Sequence, residues 1–140
     1  MKARIAWHDQ VAFVAESGSG HALILDGAPD HGGRNLGPRP MELILMGLGS
    51  CASFDVMTIL TKQRQAVSAC VCELDATRAD EVPAVFTAIT MHFTVRGDGL
   101  DHAKVERAVA LSAEKYCSAS KMLEAAGVIL THRVTVMPRD

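Results

Sequence analysis

The sequence contains two cysteines in settings that favour thiol chemistry. Cys51 ends the segment 47–51 (GLGSC) inside a long apolar stretch, and Cys117 lies in the segment 114–121 (EKYCSASK) inside a second one. A single thiol in the middle of a helix is usually just a small hydrophobic residue. Each of these thiols, however, lies beside small residues in the best-defined helix of its half of the chain. This arrangement indicates a pair that meets in space, and a pair of adjacent thiols predicts redox chemistry.

The charges near each thiol differ. A free thiol has a pKa of about 8.5, so a nucleophilic cysteine needs a cation or a helix N-terminus close by. Cys51 is predicted in mid-helix, and Asp55, one turn further on, opposes its ionisation unless a cation lies between them. Lys115 and Lys121 flank Cys117 and favour its thiolate. The alternative interpretation is that both thiols are packed small residues at a helix crossing.

The other two cysteines form the segment 70–72 (CVC). In a strand, residues two apart point to the same face. With His92 on a neighbouring predicted strand, a metal site is one interpretation. Ordinary strand residues are the favoured one, because no second CxxC or HxxxH completes a ligand set.

Composition excludes several classes of function. The chain has 140 residues, which predicts a single domain over residues 1–140. Its net charge of −2 gives no basic footprint for nucleic acid and no polybasic patch for a membrane. The first residues lack the apolar core of a signal peptide, and the apolar run 43–48 is too short to span a bilayer. We therefore expect a cytoplasmic protein.

The N-terminal half is predicted as three strands and a helix. Residues 2–26 read as short strands of an antiparallel meander, and the Gly- and Pro-rich residues 27–38 read as a loop. Pro40 suits the first turn of a helix, which we expect to continue to about Lys62. This helix is apolar nearly all round, which predicts burial on most sides.

The C-terminal half is predicted as two strands, a helix and a strand. The strands span 67–78 and 85–96, and a helix runs from His102 to Ala126, capped by Asp101 and stopped by Gly127. A last strand covers 128–136. The order βββ-α-ββ-α-β with antiparallel groups of strands predicts an α+β fold. Because 140 residues can hardly bury an all-apolar helix, we also expect a partner subunit.

Both cysteine segments resemble those of one known family. The segment 37–51 (GPRPMELILMGLGSC) resembles the first cysteine motif of the OsmC/Ohr family, the osmotically inducible protein C and organic hydroperoxide resistance proteins. The segment 116–121 (YCSASK) resembles the second. The order of elements agrees over essentially the whole chain, and the segments 51–56 and 114–117 look closest to the YhfA-like branch.

The resemblance implies both an architecture and an activity. The architecture is an intertwined homodimer in which two central helices per chain are wrapped by antiparallel sheets. The activity is a thiol peroxidase for organic hydroperoxides, with Cys51 as the peroxidatic and Cys117 as the resolving cysteine. It implies no bound metal or organic cofactor and recycling by an external dithiol. On helical spacing alone, four residues are either candidates to line an apolar substrate pocket at the dimer interface or ordinary core residues: Phe54, Met57, Met122 and Leu123.

The sequence departs from the family pattern at two positions. The early loop 16–20 lacks the arginine that activates the peroxidatic thiol, for which Arg39 is the best substitute and Arg4 and Arg34 are weaker ones. The family's glutamate directly follows the motif proline, whereas Glu42 comes one residue later. Arg39 and Glu42 are therefore candidate catalytic residues. These departures keep open an alternative, a small-molecule-binding or redox-sensing dimer without peroxidase turnover.

Overall fold

The computed structural model describes residues 1–139 and has an α+β fold, as predicted. The chain divides into two compact units, one formed by residues 1–46 and the other beginning at Gly47. Each unit contains one three-stranded sheet. The single domain spanning residues 1–140 stays a prediction.

The N-terminal unit is built on the expected antiparallel meander. Strands β1 (Ala3–Asp9), β2 (Ala12–Ser17) and β3 (Ala22–Leu25) lie in that order, so that β2 pairs with both neighbours. Few of its side chains are buried within the single chain, and several large apolar ones are exposed, including Ile5 and Trp7. This small sheet therefore covers little of its own apolar surface.

A buried carboxylate organises the loop after β3. Asp26 is 2% exposed and accepts hydrogen bonds from the backbone N–H groups of Gly27 (2.8 Å), Arg34 (2.9 Å) and Leu36 (3.1 Å). These hydrogen bonds, those from Arg34 and Leu36 above all, hold the pKa of Asp26 below its ordinary value. The glycine-rich loop is thus folded around one charged side chain.

Helix α1 spans Pro40–Lys62, with the predicted bounds. By length and composition the whole helix could cross a membrane, which the apolar run 43–48 near its start could not do alone. It buries one stripe of residues at a spacing of four, typical of a single helix face packed on a sheet: Leu48, Ala52, Val56 and Leu60. The opposite side of the helix, including Phe54, is exposed in the single chain.

The second sheet consists of β4 (Ala66–Arg78), β5 (Phe86–Asp98) and β6 (Ile129–Pro138), in that order. The β4–β5 pair is antiparallel, whereas β5 and β6 are parallel. This one parallel pair was not anticipated. It arises because the helical segment between β5 and β6 carries the chain back to the same end of the sheet.

The helical segment between β5 and β6 is divided, and the expected continuous helix His102–Ala126 is wrong in this respect. Helix α2 (His102–Leu111) is followed by a π-helical turn (Ser112–Tyr116) and then by helix α3 (Ser118–Ala125). Cys117 lies between the π turn and α3. It therefore occupies a helix terminus and not the middle of a helix.

Both ends of this segment are closed as predicted. The Asp101 side chain accepts the N–H of Lys104 at 3.3 Å, which caps the start of α2. Gly127 ends the segment at φ +88°, a left-handed conformation that glycine adopts without strain.

The core of the C-terminal unit lies between its sheet and its helices. Alternate residues of β5 are buried, which places one face of the strand inward. The largest fully buried side chains come from α1, β5 and α2: Leu48, Val56, Leu60, Ile89, Met91, Phe93, Val95, Val105 and Val109.

Candidate functional site

Cys51 is carried by a part of α1 that packs closely on β4. The neighbouring Gly49 is buried, and a Cβ at this position would lie 2.6 Å from Cδ1 of Leu74 on β4. Only glycine lets the helix approach the strand this closely without displacing that side chain. Cys51 itself is partly buried, so its sulfur lies at the boundary between the core and the surface.

Cys117 is brought toward α1 by the π turn. The hydroxyl of Ser112 donates a buried hydrogen bond of 3.0 Å to the carbonyl oxygen of Ala52, next to Cys51 in α1. The N–H of Cys117 donates back to the carbonyl of Ser112 at 2.9 Å, closing the π turn. A side chain on the turn is thereby fixed to the helix that carries the other thiol, and Cys117 is fully buried there.

The two thiols and one carboxylate meet at this point. The sulfur atoms of Cys51 and Cys117 and a carboxylate oxygen of Asp55 all lie within 4.8 Å of one another. Both cysteines are free thiols. The sequence predicts that the two thiols meet, but it indicates Asp55 only as a charge that opposes ionisation. Its spacing of four residues from Cys51 is the signal that places both on one helix face.

Opposing influences act on Cys117. It is the N-cap residue of α3, and its sulfur accepts the N–H of Ser120 at 3.4 Å, an arrangement that favours a thiolate. Burial outweighs this effect and raises the pKa of Cys117. The neighbouring Cys51 thiol raises it further. Cys117 is therefore a thiol held in its protonated form at neutral pH, with a donor in place for its sulfur.

The lysines expected to favour the Cys117 thiolate have other contacts. Lys121 forms an ion pair with Glu124 at 2.6 Å. The Lys115 ammonium lies 5.4 Å from the centre of the Tyr116 ring. The amide of Ser120 is the donor that contacts the sulfur, a contact that the sequence did not predict. The signal was a cysteine followed by Ser-Ala-Ser at the start of a helix.

Arg39 and Glu42 engage each other at the start of α1. One carboxylate oxygen of Glu42 accepts the backbone N–H of Arg39 at 2.9 Å, and the other accepts its guanidinium at 2.9 Å. This is the glutamate half of a capping box, and the backbone hydrogen bond lowers the pKa of Glu42. Their contacts serve to begin the helix, and a catalytic role for either stays a prediction. The weaker arginine candidates are paired as well: Arg4 with Glu16 and Arg34 with Asp9.

Cys70 and Cys72 are a different kind of pair. Burial raises the pKa of both, that of Cys72 to about 11, so both are protonated at neutral pH. The interpretation as a metal site with His92 fails on register. His92 pairs with Glu73, whereas Cys72 pairs with Phe93, which puts the imidazole and the thiol on opposite faces of the sheet.

The expected pocket residues do not form a closed pocket within one chain. Phe54 and Met122 are each 74% exposed, whereas Met57 and Leu123 are partly buried. A separate open cleft of about 550 Å³ begins at Asp55. Its other lining residues come from α1 and the residue directly after it, the end of α2 and the π turn: Thr58, Ile59, Lys62, Gln63, Leu111 and Tyr116. The cleft thus opens at the residue that lies beside the two thiols, while Oδ2 of its carboxylate is itself buried.

The fold and the thiol pair define a class of protein. A model of the OsmC-like protein family matches residues 31–133, which include both cysteines. The chain therefore belongs to the OsmC-like proteins, and helix α1 is a core helix of that small soluble fold.

Among individual proteins, the chain is similar to Protein YhfA of Escherichia coli K12. The two are 45% identical over 137 residues, which cover 98% of each. The structure also resembles an OsmC-like protein from Mycoplasma pneumoniae, with a TM-score of 0.82 at 14% identity over 97% and 96% of the two chains. An organic hydroperoxide resistance protein from Legionella pneumophila gives a TM-score of 0.72 at 18% identity over 96% and 95%. These two similarities establish the fold.

Proposed function

We propose that this protein is a homodimeric thiol peroxidase that reduces organic hydroperoxides in oxidative stress defence. The observation that carries the proposal is the pair of free thiols, Cys51 and Cys117, with sulfur atoms within 4.8 Å on two different elements. A disulfide needs a sulfur–sulfur distance of about 2.05 Å, so the two sulfur atoms must still approach each other for one to form. The fold shared with a hydroperoxide resistance protein supports the same class of reaction.

Exposure distinguishes the two roles. Cys51 is partly buried and can meet a hydroperoxide, whereas Cys117 is fully buried. The Cys51 thiolate attacks the distal peroxide oxygen, the O–O bond breaks, and the alkoxide takes a proton and leaves as the alcohol. Cys51 is then a sulfenic acid. The Cys117 sulfur attacks the sulfenic sulfur and water leaves, which produces a disulfide.

The surroundings of Cys117 fit a resolving thiol. Its raised pKa keeps it protonated until the sulfenic acid has formed. The Ser120 N–H then stabilises negative charge on sulfur both in attack and when the disulfide is reduced. An external dithiol completes the cycle by thiol–disulfide exchange. It reduces the Cys51–Cys117 disulfide to two free thiols and is itself oxidised to a disulfide. We expect this reductant and the substrate to meet the protein in the cytoplasm.

A second copy of the chain is part of the proposal. Large apolar side chains are exposed in both units, including Trp7 (67%), Phe54 (74%) and Met122 (74%). Large apolar side chains left exposed in this way are the groups that a subunit interface typically buries. In a homodimer, Phe54 and Met122 would cover the alkyl group of a hydroperoxide near Cys51.

The test follows free thiols and intact mass after reduced protein meets a slight excess of an organic hydroperoxide. We expect rapid loss of both Cys51 and Cys117 thiols as a disulfide. The Cys51→Ser variant should abolish the reaction, and the Cys117→Ser variant should stop at a sulfenic acid that a dimedone probe traps. Oxidation no faster than that of a free thiol would overturn the proposal.

One observation favours the alternative, a small-molecule-binding or redox-sensing dimer. Arg39, the best candidate for activating Cys51, uses both its N–H and its guanidinium to hold Glu42. If no other cation reaches Cys51, the thiols form a disulfide slowly and turnover is absent. In the same experiment, slow oxidation that still joins Cys51 to Cys117 distinguishes a sensor from a peroxidase.

A further inference from the structure

We propose that reduced Cys51, Asp55 and Cys117 form a binding site for a thiophilic divalent cation, Zn²⁺ above all. Their two sulfur atoms and one carboxylate oxygen already lie within 4.8 Å of one another. Zinc binds thiolate at about 2.3 Å and carboxylate oxygen at about 2.0–2.2 Å, so tetrahedral ligand atoms lie about 4 Å apart or less. Small side-chain rotations of the partly buried Cys51 and Asp55 suffice to close this gap.

The backbone already holds these ligands in a suitable arrangement. Cys51 and Asp55 are four residues apart on α1, the spacing at which two helical side chains bind one zinc ion. The third ligand comes from the N-cap of α3, which the Ser112 hydrogen bond ties to α1. Ligands from two elements already fixed to each other need little ordering when the ion binds.

An unsatisfied oxygen points independently to a cation. Oδ2 of Asp55 is buried and has no hydrogen-bond partner within residues 1–139. A buried carboxylate oxygen without a partner is costly, and a bound cation is one of the ways in which proteins stabilise such a group. Two thiolates and this carboxylate carry three negative charges, of which a divalent ion neutralises two. On binding, each protonated thiol releases its proton to solvent.

Three protein ligands leave a fourth position for water, and an entry path exists. The cleft that begins at Asp55 opens to solvent between α1 and the end of α2, with Tyr116 at its wall. Zinc sites with three protein ligands and an open position are exchangeable and accessible in a way that closed structural sites are not. The ion would thus reach the thiols from the Asp55 side.

The site exists only in the reduced protein, because a Cys51–Cys117 disulfide removes two of its three ligands. Metal binding and oxidation therefore compete for the same sulfur atoms. Binding itself needs only the reduced thiols and does not rest on peroxidase activity. That the bound cation inhibits hydroperoxide reduction is a consequence that rests on the proposed function.

The test is a titration of the reduced, metal-free, full-length protein with Co²⁺ without oxygen, followed by absorption spectroscopy. Tetrahedral Co²⁺ with thiolate ligands gives charge-transfer and visible bands, and Zn²⁺ should bleach them. We expect one Co²⁺ per chain. Affinity should fall at least about tenfold in Cys51→Ser, Cys117→Ser and Asp55→Asn, since even changes to partners of metal ligands cost about 10–100-fold.

The matched control is the Cys70→Ser, Cys72→Ser double variant, which should bind Co²⁺ like the unmodified protein. Far-UV circular dichroism establishes that each variant is folded. Absence of thiolate bands, or bands lost only in the control, would overturn the site. Peroxide consumption is measured separately in chelator-treated protein. If that protein consumes no peroxide, the peroxidase proposal fails, and the Co²⁺ bands still test the metal site.

Discussion

Ser112 fixes the position of Cys117 through one buried hydrogen bond to the carbonyl of Ala52. We expect Ser112→Ala to lower the free energy of unfolding by about 0.5–1.5 kcal/mol, because one buried hydrogen bond is lost while the Ala52 carbonyl keeps its place within helix α1. The variant should also slow formation of the Cys51–Cys117 disulfide. Urea denaturation monitored by circular dichroism measures the first effect, and thiol quantification after oxidation measures the second.

Ser50→Ala is the control for that prediction. The Ser50 hydroxyl also donates to a backbone carbonyl, that of Gly47 at 3.1 Å, but it is exposed to solvent. Water replaces the lost partner, so the change in stability should stay within about 0.5 kcal/mol. Equal destabilisation by the two substitutions would mean that the link between the π turn and α1 is not the stabilising contact.

Cys72 should be unreactive at neutral pH. Burial raises its pKa to about 11, so about one thiol in a thousand is ionised at pH 8. In folded protein we expect the rate of iodoacetamide labelling at Cys72 to keep rising up to about pH 11. Peptide mass spectrometry resolves Cys72 from the other cysteines. A plateau below pH 9 would contradict the prediction, and the same measurement on unfolded protein should plateau near the ordinary thiol pKa.

At the residue scale, the sequence was sufficient to select the thiol pair but not all of its neighbours. Cys51 and Cys117 stand out because each lies in a recognisable motif. Asp55 was visible at a helical spacing, but its proximity to Cys117 depends on how two distant segments fold together. The Ser120 N–H was not predicted to contact the Cys117 sulfur, because a continuous helix was expected at Cys117 and the interior N–H groups of a helix are already paired.

The contact between α1 and β4 depends on Gly49. Glycine and alanine differ by about 1 kcal/mol in helix propensity, so Gly47→Ala and Gly49→Ala should gain the same amount from the helix. Only at Gly49 would the new methyl group lie 2.6 Å from Leu74, whereas nothing lies within 4 Å at Gly47. Because the contacting atom is the end of the partly buried Leu74 side chain, we expect the Gly49→Ala protein to be about 0.5–1.5 kcal/mol less stable than the Gly47→Ala protein, the cost of turning that side chain out of its rotamer.

Urea denaturation of the two alanine variants gives this difference directly. The comparison cancels helix propensity and isolates the overpacking against β4. Equal stabilities would show that Leu74 moves aside at no cost. In that case the glycine at position 49 is not required for the close approach.

At the scale of elements, α1 was predictable and the break between α2 and α3 was not. Pro40 marks the start of α1 by local chemistry, and its apolar length indicates the rest. The segment 112–116 (SAEKY) contains neither Gly nor Pro, so every local signal favours an unbroken helix. The π turn is stabilised by the Ser112 contact with Ala52, a tertiary interaction that no local pattern reveals. The parallel β5–β6 pair likewise depends on the path of this segment.

For the whole molecule we expect a dimer in solution, with a mass twice the 15.0 kDa of the single chain. Phe54 on α1 is 74% exposed, so a charge there should disfavour association if this face meets the partner. Phe54→Asp should shift the protein toward monomer in sedimentation equilibrium. Val71→Asp is the control, because Val71 is also exposed (53%) but lies on the sheet face opposite Cys72.

A monomeric unmodified protein would contradict the dimer, and equal dissociation of both variants would contradict the role of α1. The single tryptophan, Trp7, provides a second readout, since it lies 67% exposed in the single chain. Its fluorescence should shift to longer wavelength on dissociation if the partner covers the N-terminal sheet.

The π turn makes the thiol pair sensitive to chain length in a way that point substitutions do not reveal. It accommodates one more residue than an α-helical turn would need between α2 and Cys117. One further residue inserted within 112–115 would exceed what the π turn accommodates and would move the residue at the α3 cap by about 1.5 Å along the axis and about 100° around it. Cys117 would then leave Cys51, although every side chain of the motif YCSASK remained. An OsmC-like gene with both cysteine motifs intact can therefore encode a redox-silent protein, and the spacing before the second motif is the diagnostic feature.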